Sequence, residues 1–473
     1  MNDVIRIPDE PGAAPVQTGI EERGRAPARR SGLSHLILHL HPRVVPEKTL
    51  SFSLTLGLGG LSVVLVMLLV ATGVLLLFAY EPSAERAYDS VLRLRDDVPF
   101  GQFVRNLHRW GANLAVVLVF LHLLRVFFTG AYRPPRSGNW IVGCILGFLI
   151  LASNFTGYLL PWDQLSYWAV TICTSMLDYV PLIGAPLREM LRGGSEIGPR
   201  TLSIFFVLHI VFLPITMVAL LMFHFWLVRK SGGVVIPRAP GEVSDRGPMV
   251  PVSPNLTVRE GTAALVLLAG LFVFALLFDA PLGDRANPGL SPNPAKAPWY
   301  FMGLQELLIH FHPFFAVVVL PLAVTVLLLA LPYVRLEPTT EGVWFLSTTG
   351  RRLARTAALL GASLTLAALL LDEYVIDLPG WLPGVPPIFA SGVLPVAFLA
   401  MLVAALAAGL RRHHAAARQE MAQAVFVGVL VAFVLLTAVG IGCRGRGMAL
   451  VWPWSRTTTT PVTATVDDAG GRP

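Results

Sequence analysis

Long apolar stretches alternate along the chain with short polar connections rich in Pro and Gly. Nine stretches stand out, over residues 52–79, 103–128, 139–159, 203–228, 261–279, 313–333, 353–371, 388–410 and 421–441. Each is long enough to cross about 30 Å of hydrocarbon as an α-helix. Open strands are excluded, because their edges would leave backbone N–H and C=O groups unpaired in lipid. The pattern predicts an all-α integral membrane protein: a four-helix N-terminal bundle followed by five further spans. No internal repeat is evident.

Composition agrees, because 54% hydrophobic against 14% charged residues is outside the range of a water-soluble domain. The net charge of +7 does not point to nucleic acid. The cations collect instead at the ends of apolar runs, at Arg133 and Arg136, at Arg229, Lys230 and Arg238, at Arg335, Arg351, Arg352 and Arg355, and at Arg411, Arg412 and Arg418. All fall on one side of a nine-span topology, which the positive-inside rule makes cytoplasmic, together with the N-terminus. Connections on the opposite side are mixed or acidic, as at Asp372, Glu373 and Asp377. Arg444 and Arg446 conflict with this assignment, since they fall on the side that should be poor in cations.

Residues 1–34 lack the apolar core of a signal peptide and read as a disordered cytoplasmic tail. Residues 35–230 read as the bundle, and 231–258, rich in Gly, Pro and Val, as a linker. Residues 259–335 hold two spans and 336–455 the remaining three, before a Thr-rich tail over 456–473. Cys144, Cys173 and Cys443 have no metal-binding spacing.

Four histidines lie within spans: His108 and His122 on the second, His209 and His224 on the fourth. Ionisable residues at membrane depth are costly and mark function by default. Fourteen residues separate the first pair and fifteen the second, so each pair returns to roughly one face of its helix, about 21 Å apart along the axis. Two antiparallel helices so equipped make two His–His sites, His108 with His209 and His122 with His224. A bis-histidine site without Cys or carboxylate suits a haem iron that only passes electrons. Hydrogen-bonding core histidines are the plainer alternative, which four residues in two matched pairs disfavour.

Glycines repeat the interval: Gly59 and Gly73 on the first span, Gly143 and Gly157 on the third. A porphyrin edge against a helix needs a missing side chain, although Gly also serves ordinary helix packing. Arg105, Arg109 and Arg125 flank the histidines. They would meet either haem propionates or, by snorkelling, the headgroups. His35, His39 and His41 lie on an amphipathic stretch before the first span, His310 and His312 read as interfacial, and His413 and His414 sit in a basic loop.

With these residues go RNLHRW at 105–110, HLLR at 122–125, TGYLLPWDQLSYWAV at 156–170, PLIGAPLREMLRGG at 181–194 and HFWLVRK at 224–230. Together they resemble the cytochrome b family of bacterial cytochrome bc complexes over most of 35–335, with the N-terminal half closer to the photosynthetic branch. The resemblance implies a quinol:cytochrome c oxidoreductase of the bacterial inner membrane, with two non-covalent b-type haems and a Q cycle. Quinol would be oxidised at an outer site and quinone reduced at an inner one. A Rieske iron–sulfur protein, a c-type cytochrome and a homodimer would be the partners.

In that setting Pro161 ends the third span and Asp163 can cap a short helix over 164–175, part of a hairpin roofing the outer site. Where the family has Pro-Glu-Trp-Tyr, this chain has Ala297-Pro298-Trp299-Tyr300, so the proton-accepting Glu is missing. Glu306 is the proposed substitute, with Asp163 or a water chain as the alternative. Arg229 and Lys230 are placed to face an inner quinone or a haem propionate, with simple positive-inside anchoring as the alternative. Gly57 stands where the photosynthetic relatives have the Cys of a covalent c-type haem, so none is expected. The competing readings are a di-haem membrane anchor of a dehydrogenase or hydrogenase, and a transporter with structural histidines.

Overall fold

The computed structural model describes residues 43–238, 242, 246–334, 340–413 and 417–452. Both expected tails, and His35, His39, His41, Arg335, His414 and the side chain of His413, lie outside the described residues.

Nine helices among the described residues are long and apolar enough to cross a membrane. They are α1 (Leu58–Leu77), α3 (Gly101–Phe128), α4 (Ser137–Leu159), α7 (Pro199–Lys230), α8 (Val252–Leu277), α10 (Phe314–Tyr333), α11 (Thr348–Tyr374), α12 (Ile388–Arg411) and α13 (Arg418–Gly442). Shorter helices stand in the connections: α2 (Ala87–Asp96), α5 (Gln164–Ser175), α6 (Gly184–Arg192) and α9 (Met302–His310). The one sheet among the described residues pairs β1 (Val44–Pro46) with β2 (Met249–Pro251) in antiparallel register, Val45 opposite Val250. It ties the start of the bundle to the segment expected as a linker. That segment ends earlier than its composition suggests: α8 is assigned from Val252 and, past the extended Ser253, runs as continuous helix.

Leu65, Leu107, Ala115, Leu118, Leu271 and Ala275 form the core where α8 lies against α1 and α3. Val116, Leu149, Ile150, Leu213 and Met217 form the core among α3, α4 and α7. The last spans are not a separate unit. A Cβ on Gly361 of α11 would stand 2.5 Å from the Gly428 carbonyl of α13, so two glycines let these helices cross at backbone distance. Phe426 of α13 packs on Phe127 of α3 at 4.6 Å between ring centroids. Gln423 donates to the Phe127 carbonyl at 3.0 Å.

Three spans contain a π turn in their first half: Leu208–Phe212, Phe314–Val319 and Ile388–Val393. Each is followed by a proline at the second position beyond it, Pro214, Pro321 or Pro395. Proline donates no N–H to the preceding turn. Widening to i→i+5 bonds satisfies the carbonyls it would orphan in lipid.

Candidate haem and quinol sites

Asp163 begins the face on which the short helices gather. It is the N-cap of α5, its Oδ1 accepting from Ser166 N at 2.9 Å, and its Oδ2 accepts from Gly283 N at 2.9 Å. One carboxylate therefore starts the hairpin and straps it to the α8–α9 connection. Arg192 closes the hairpin from inside, donating to the Thr174 hydroxyl at 2.7 Å, the Thr171 carbonyl at 2.8 Å and the Ser195 carbonyl at 3.0 Å.

Beneath this roof His108 of α3 faces His209 of α7, ring centroids 6.2 Å apart and planes at 76°. A metal ion bound by each imidazole nitrogen at about 2 Å would hold two rings about 6 Å apart. The Nδ1 atoms are already engaged. His108 Nδ1 lies 2.9 Å from the Thr72 hydroxyl, and His209 Nδ1 lies 3.0 Å from the Ser153 carbonyl. Such bonds fix a ring's tautomer and leave Nε2 for a metal. On the other half of the bundle His122 stands across from Gly59 and His224 across from Gly143.

The π turn explains the unequal spacing. His209 lies within Leu208–Phe212, and a π turn absorbs one extra residue, so fifteen residues on α7 cover the rotation that fourteen cover on α3.

Each histidine has its own glycine. A Cβ on Gly59 would stand 3.2 Å from His122 Cε1, on Gly73 3.3 Å from His108 Cε1, on Gly143 3.6 Å from His224 Cε1 and on Gly157 2.5 Å from His209 Cε1. The missing side chains thus clear the imidazoles themselves, where the sequence suggested room for a porphyrin edge.

The arginines divide. Arg105 is buried and donates to the Ala280 and Pro281 carbonyls, each at 2.7 Å, so it closes the end of α8 where an anion partner was one expectation. Arg109 lies over the Tyr158 ring, 4.8 Å from its centroid. Arg125 donates from Nε to the Leu54 carbonyl at 2.9 Å. Its Nη2 is buried without a hydrogen-bond partner among the described residues. Lys230 lies over Trp226 at 4.9 Å, and Arg229 ends the same helix.

Pro298 opens a helical turn, Trp299–Phe301, that runs directly into α9. Trp299 donates to the Asn113 side chain of α3 at 2.8 Å, and both Trp299 and Tyr300 pack on the α3–α4–α7 core. The Tyr300 hydroxyl is buried and without a hydrogen-bond partner among the described residues. Burial raises its pKa, so it stays a neutral donor. Glu306 is the residue expected to substitute for the missing proton acceptor. It is fully buried and paired with Arg444, Nη2 to Oε2 at 2.9 Å. Burial alone would raise this carboxyl, and hydrogen bonds from His310 and Arg444 outweigh it and hold it below the usual carboxylate range.

A family profile described as Cytochrome b/b6/petB matches residues 45–232. Over 204 residues the chain is 40% identical to the cytochrome b6 of Heliomicrobium gestii, covering 43% of this chain and 95% of that one. The chain belongs to the cytochrome b/b6 family. Similarity extends past the bundle in the cytochrome bc complex cytochrome b subunit of Chlorobaculum thiosulfatiphilum, 37% identical over 281 residues, 58% of this chain and 64% of the relative. The menaquinol:cytochrome c reductase cytochrome b subunit of Bacillus subtilis is 43% identical over 175 residues, 37% of this chain and 78% of that one. A solved structure titled "Hyperthermophilic respiratory Complex III" shares the fold, with a TM-score of 0.59 and 24% identity over 82% of this chain and 90% of that one.

Membership in the cytochrome b family implies b-type haems, and the residues present fit them. The facing imidazoles of His108 and His209 with Nε2 to spare, a glycine at each of the four rings and a buried Arg125 nitrogen lacking an acceptor are the features such a group would use.

Proposed function

We propose that this cytochrome b-family chain is the di-haem subunit of a proton-translocating quinol:cytochrome c oxidoreductase working by a Q cycle. The observation that carries it is the pairing of His108 with His209, centroids 6.2 Å apart and each ring set against a glycine. His108 and His209 would hold one haem, and His122 and His224 the other. When bound, these haems supply one-electron transfer between the two faces of the membrane. Thr72 and the Ser153 carbonyl orient the first pair of rings, and Arg125 would meet a propionate of the second haem.

Quinol would enter between the α5–α6 hairpin and the Pro298–Tyr300 turn, on the outer face by the positive-inside rule. There Tyr300 offers an uncommitted hydroxyl to a quinol oxygen, and Trp299, held by Asn113, forms an apolar wall that excludes water. Asp163 fixes the roof rather than the reaction, since both of its oxygens accept backbone N–H groups. The inner quinone site would lie near Arg229 and Lys230. A Rieske iron–sulfur protein and a c-type cytochrome are the electron acceptors this reading requires, within a homodimer in the bacterial inner membrane. The Bacillus relative's name and the missing Glu at Pro298 both favour a low-potential quinol such as menaquinol.

A redox titration of the complex purified from its membrane tests the reading. The expected result is two non-covalent protohaems per chain, a co-purifying Rieske protein and quinol-dependent reduction of a c-type cytochrome. Fewer than two haems would overturn it, and a co-purifying molybdenum or nickel enzyme would replace it with the dehydrogenase- or hydrogenase-anchor reading.

A further inference from the structure

Beyond α13 the chain turns back on itself. Val451 N donates to the Cys443 carbonyl at 2.8 Å and Gly445 N to the Ala449 carbonyl at 2.9 Å, closing a loop over 443–451. From this loop Arg444 points inward and is 1% exposed. Its Nε and Nη2 meet the Glu306 carboxylate at 3.0 and 2.9 Å, and its Nη1 meets Glu373 at 2.8 Å and the Met448 carbonyl at 3.0 Å. Nη2 also lies 3.3 Å from His310 Nε2, whose other ring nitrogen is 2.6 Å from Asp372. Two further bonds bind this end of the chain to the approach of the quinol turn. Gly447 N donates to Asn293 Oδ1 at 2.6 Å, and Lys296 Nζ to the Ile441 carbonyl at 2.9 Å.

One residue thus joins α9, the end of α11 and the chain's last described segment. A planar guanidinium fork suits that task, because it fixes direction as well as distance. Net stability is a poor explanation for it, since buried ion pairs seldom outperform well-packed apolar side chains of the same volume. Geometry is the better one. Glu306 stands on the helix that continues from Trp299 and Tyr300, so whatever fixes Glu306 fixes the turn that carries those rings.

We propose that Arg444 is a positioning residue for quinol oxidation: through Glu306 the 443–451 loop pins α9 and sets where Trp299 and Tyr300 stand. This role rests on the functional reading above. It assigns Glu306 to holding the site rather than to accepting a proton from quinol, and it gives the cation on the wrong side of the membrane a purpose.

The test uses the intact complex carrying Arg444→Gln, Glu306→Gln and the double variant, assayed with a short-chain menaquinol analogue. Arg444→Gln is expected to raise KM at least fivefold, while b-haem content and midpoint potentials stay at wild-type values. The double variant should be no more impaired than the worse single variant, because either substitution already breaks the same link. If the double is as impaired as Glu306→Gln alone while Arg444→Gln is near wild type, Glu306 takes part in the chemistry and the proposal fails. Should Arg444→Gln not accumulate, Arg444→Lys keeps the charge without the fork and should show an intermediate KM; a wild-type KM there overturns the proposal. A wild-type complex that oxidises no quinol overturns the functional reading, and this role with it. A working wild type matched by every variant overturns the pin alone.

Discussion

The Cβ that Gly157 lacks would sit 2.5 Å from His209 Cε1 and 3.0 Å from His209 Nδ1. No real side chain tolerates that approach, so the ring and the helix backbone across from it are fitted to each other.

The other three glycines grade this relationship into a prediction. Gly157→Ala should displace His209 and remove the haem of that pair. Gly73→Ala and Gly59→Ala, at 3.3 and 3.2 Å, need a few tenths of an ångström and should keep haem at reduced occupancy. Gly143→Ala, at 3.6 Å from His224, is ordinary van der Waals contact and should load fully. Reduced-minus-oxidised spectra of the four variants read this order. Equal loading of Gly157→Ala and Gly143→Ala would detach the glycines from the haem sites.

Arg125 gives a second, electrostatic prediction. Its Nη2 is buried without a hydrogen-bond partner among the described residues, on the helix that carries His122. Arg125→Met removes a positive charge from that half of the bundle and keeps most of the volume. A nearby cation favours the reduced, more negative state of a redox centre. The midpoint potential of the haem between His122 and His224 should therefore fall by tens of millivolts, where about 59 mV is tenfold in a one-electron equilibrium. The potential of the other haem should stay within experimental scatter. An unchanged pair of potentials would place no anion at Arg125.

These two predictions draw on what the sequence carried plainly. The histidines and their glycines were legible because membrane depth makes each costly and helical rotation makes their intervals meaningful. The arginines were less so. The donation of Arg105 to Ala280 and Pro281 joins residues far apart in the chain, and it arises because buried carbonyls in the connection just past α8 need donors. The pairing of Glu306, read from the sequence as the substitute proton acceptor, was hidden for the same reason. Its partner Arg444 stands at the other end of the C-terminal half and looked only like a topological misfit. The start of α8 at Val252 was hidden by Asn255, Arg259 and Glu260, which interrupt the apolar run without interrupting the helix.

The π turn at His209 yields a prediction opposite to the usual rule. Removing one residue from a membrane helix turns everything beyond it by about 100° and should destroy a facing pair. Here Leu208–Phe212 already holds one residue more than an α-helix needs. Deleting Val211, which is 45% exposed and faces away from the core, should let the turn relax to α-helical geometry with His209 and His224 still on one side. Two b haems per chain are expected in the deletion variant. Loss of the haem held by His108 and His209 would show that the turn does not absorb the extra residue.

His310 makes stability depend on pH in a direction that can be worked out. Burial alone would pull its imidazole down, but hydrogen bonds to Asp372 and Glu306 outweigh it and push the pKa up to about 9. A raised folded-state value means that the protonated ring stabilises the fold. That contribution is fully present below the unfolded value near 6.5 and disappears as pH climbs through about 9. It is on the order of 3 kcal/mol, since each tenfold gain in proton affinity is worth about 1.4 kcal/mol. Thermal unfolding of the purified complex should therefore move down in temperature between about pH 7 and pH 9.5. His310→Gln should flatten that slope, and Asp372→Asn should shift it to lower pH by removing the closer carboxylate, 2.6 Å from Nδ1. The groups facing the ring settle the sign: Glu306 and Asp372 against Arg444, two carboxylates to one other cation, so losing the His310 proton leaves negative charge unbalanced around a buried carboxylate. If the His310→Gln complex keeps the wild-type pH slope, the titrating group lies elsewhere.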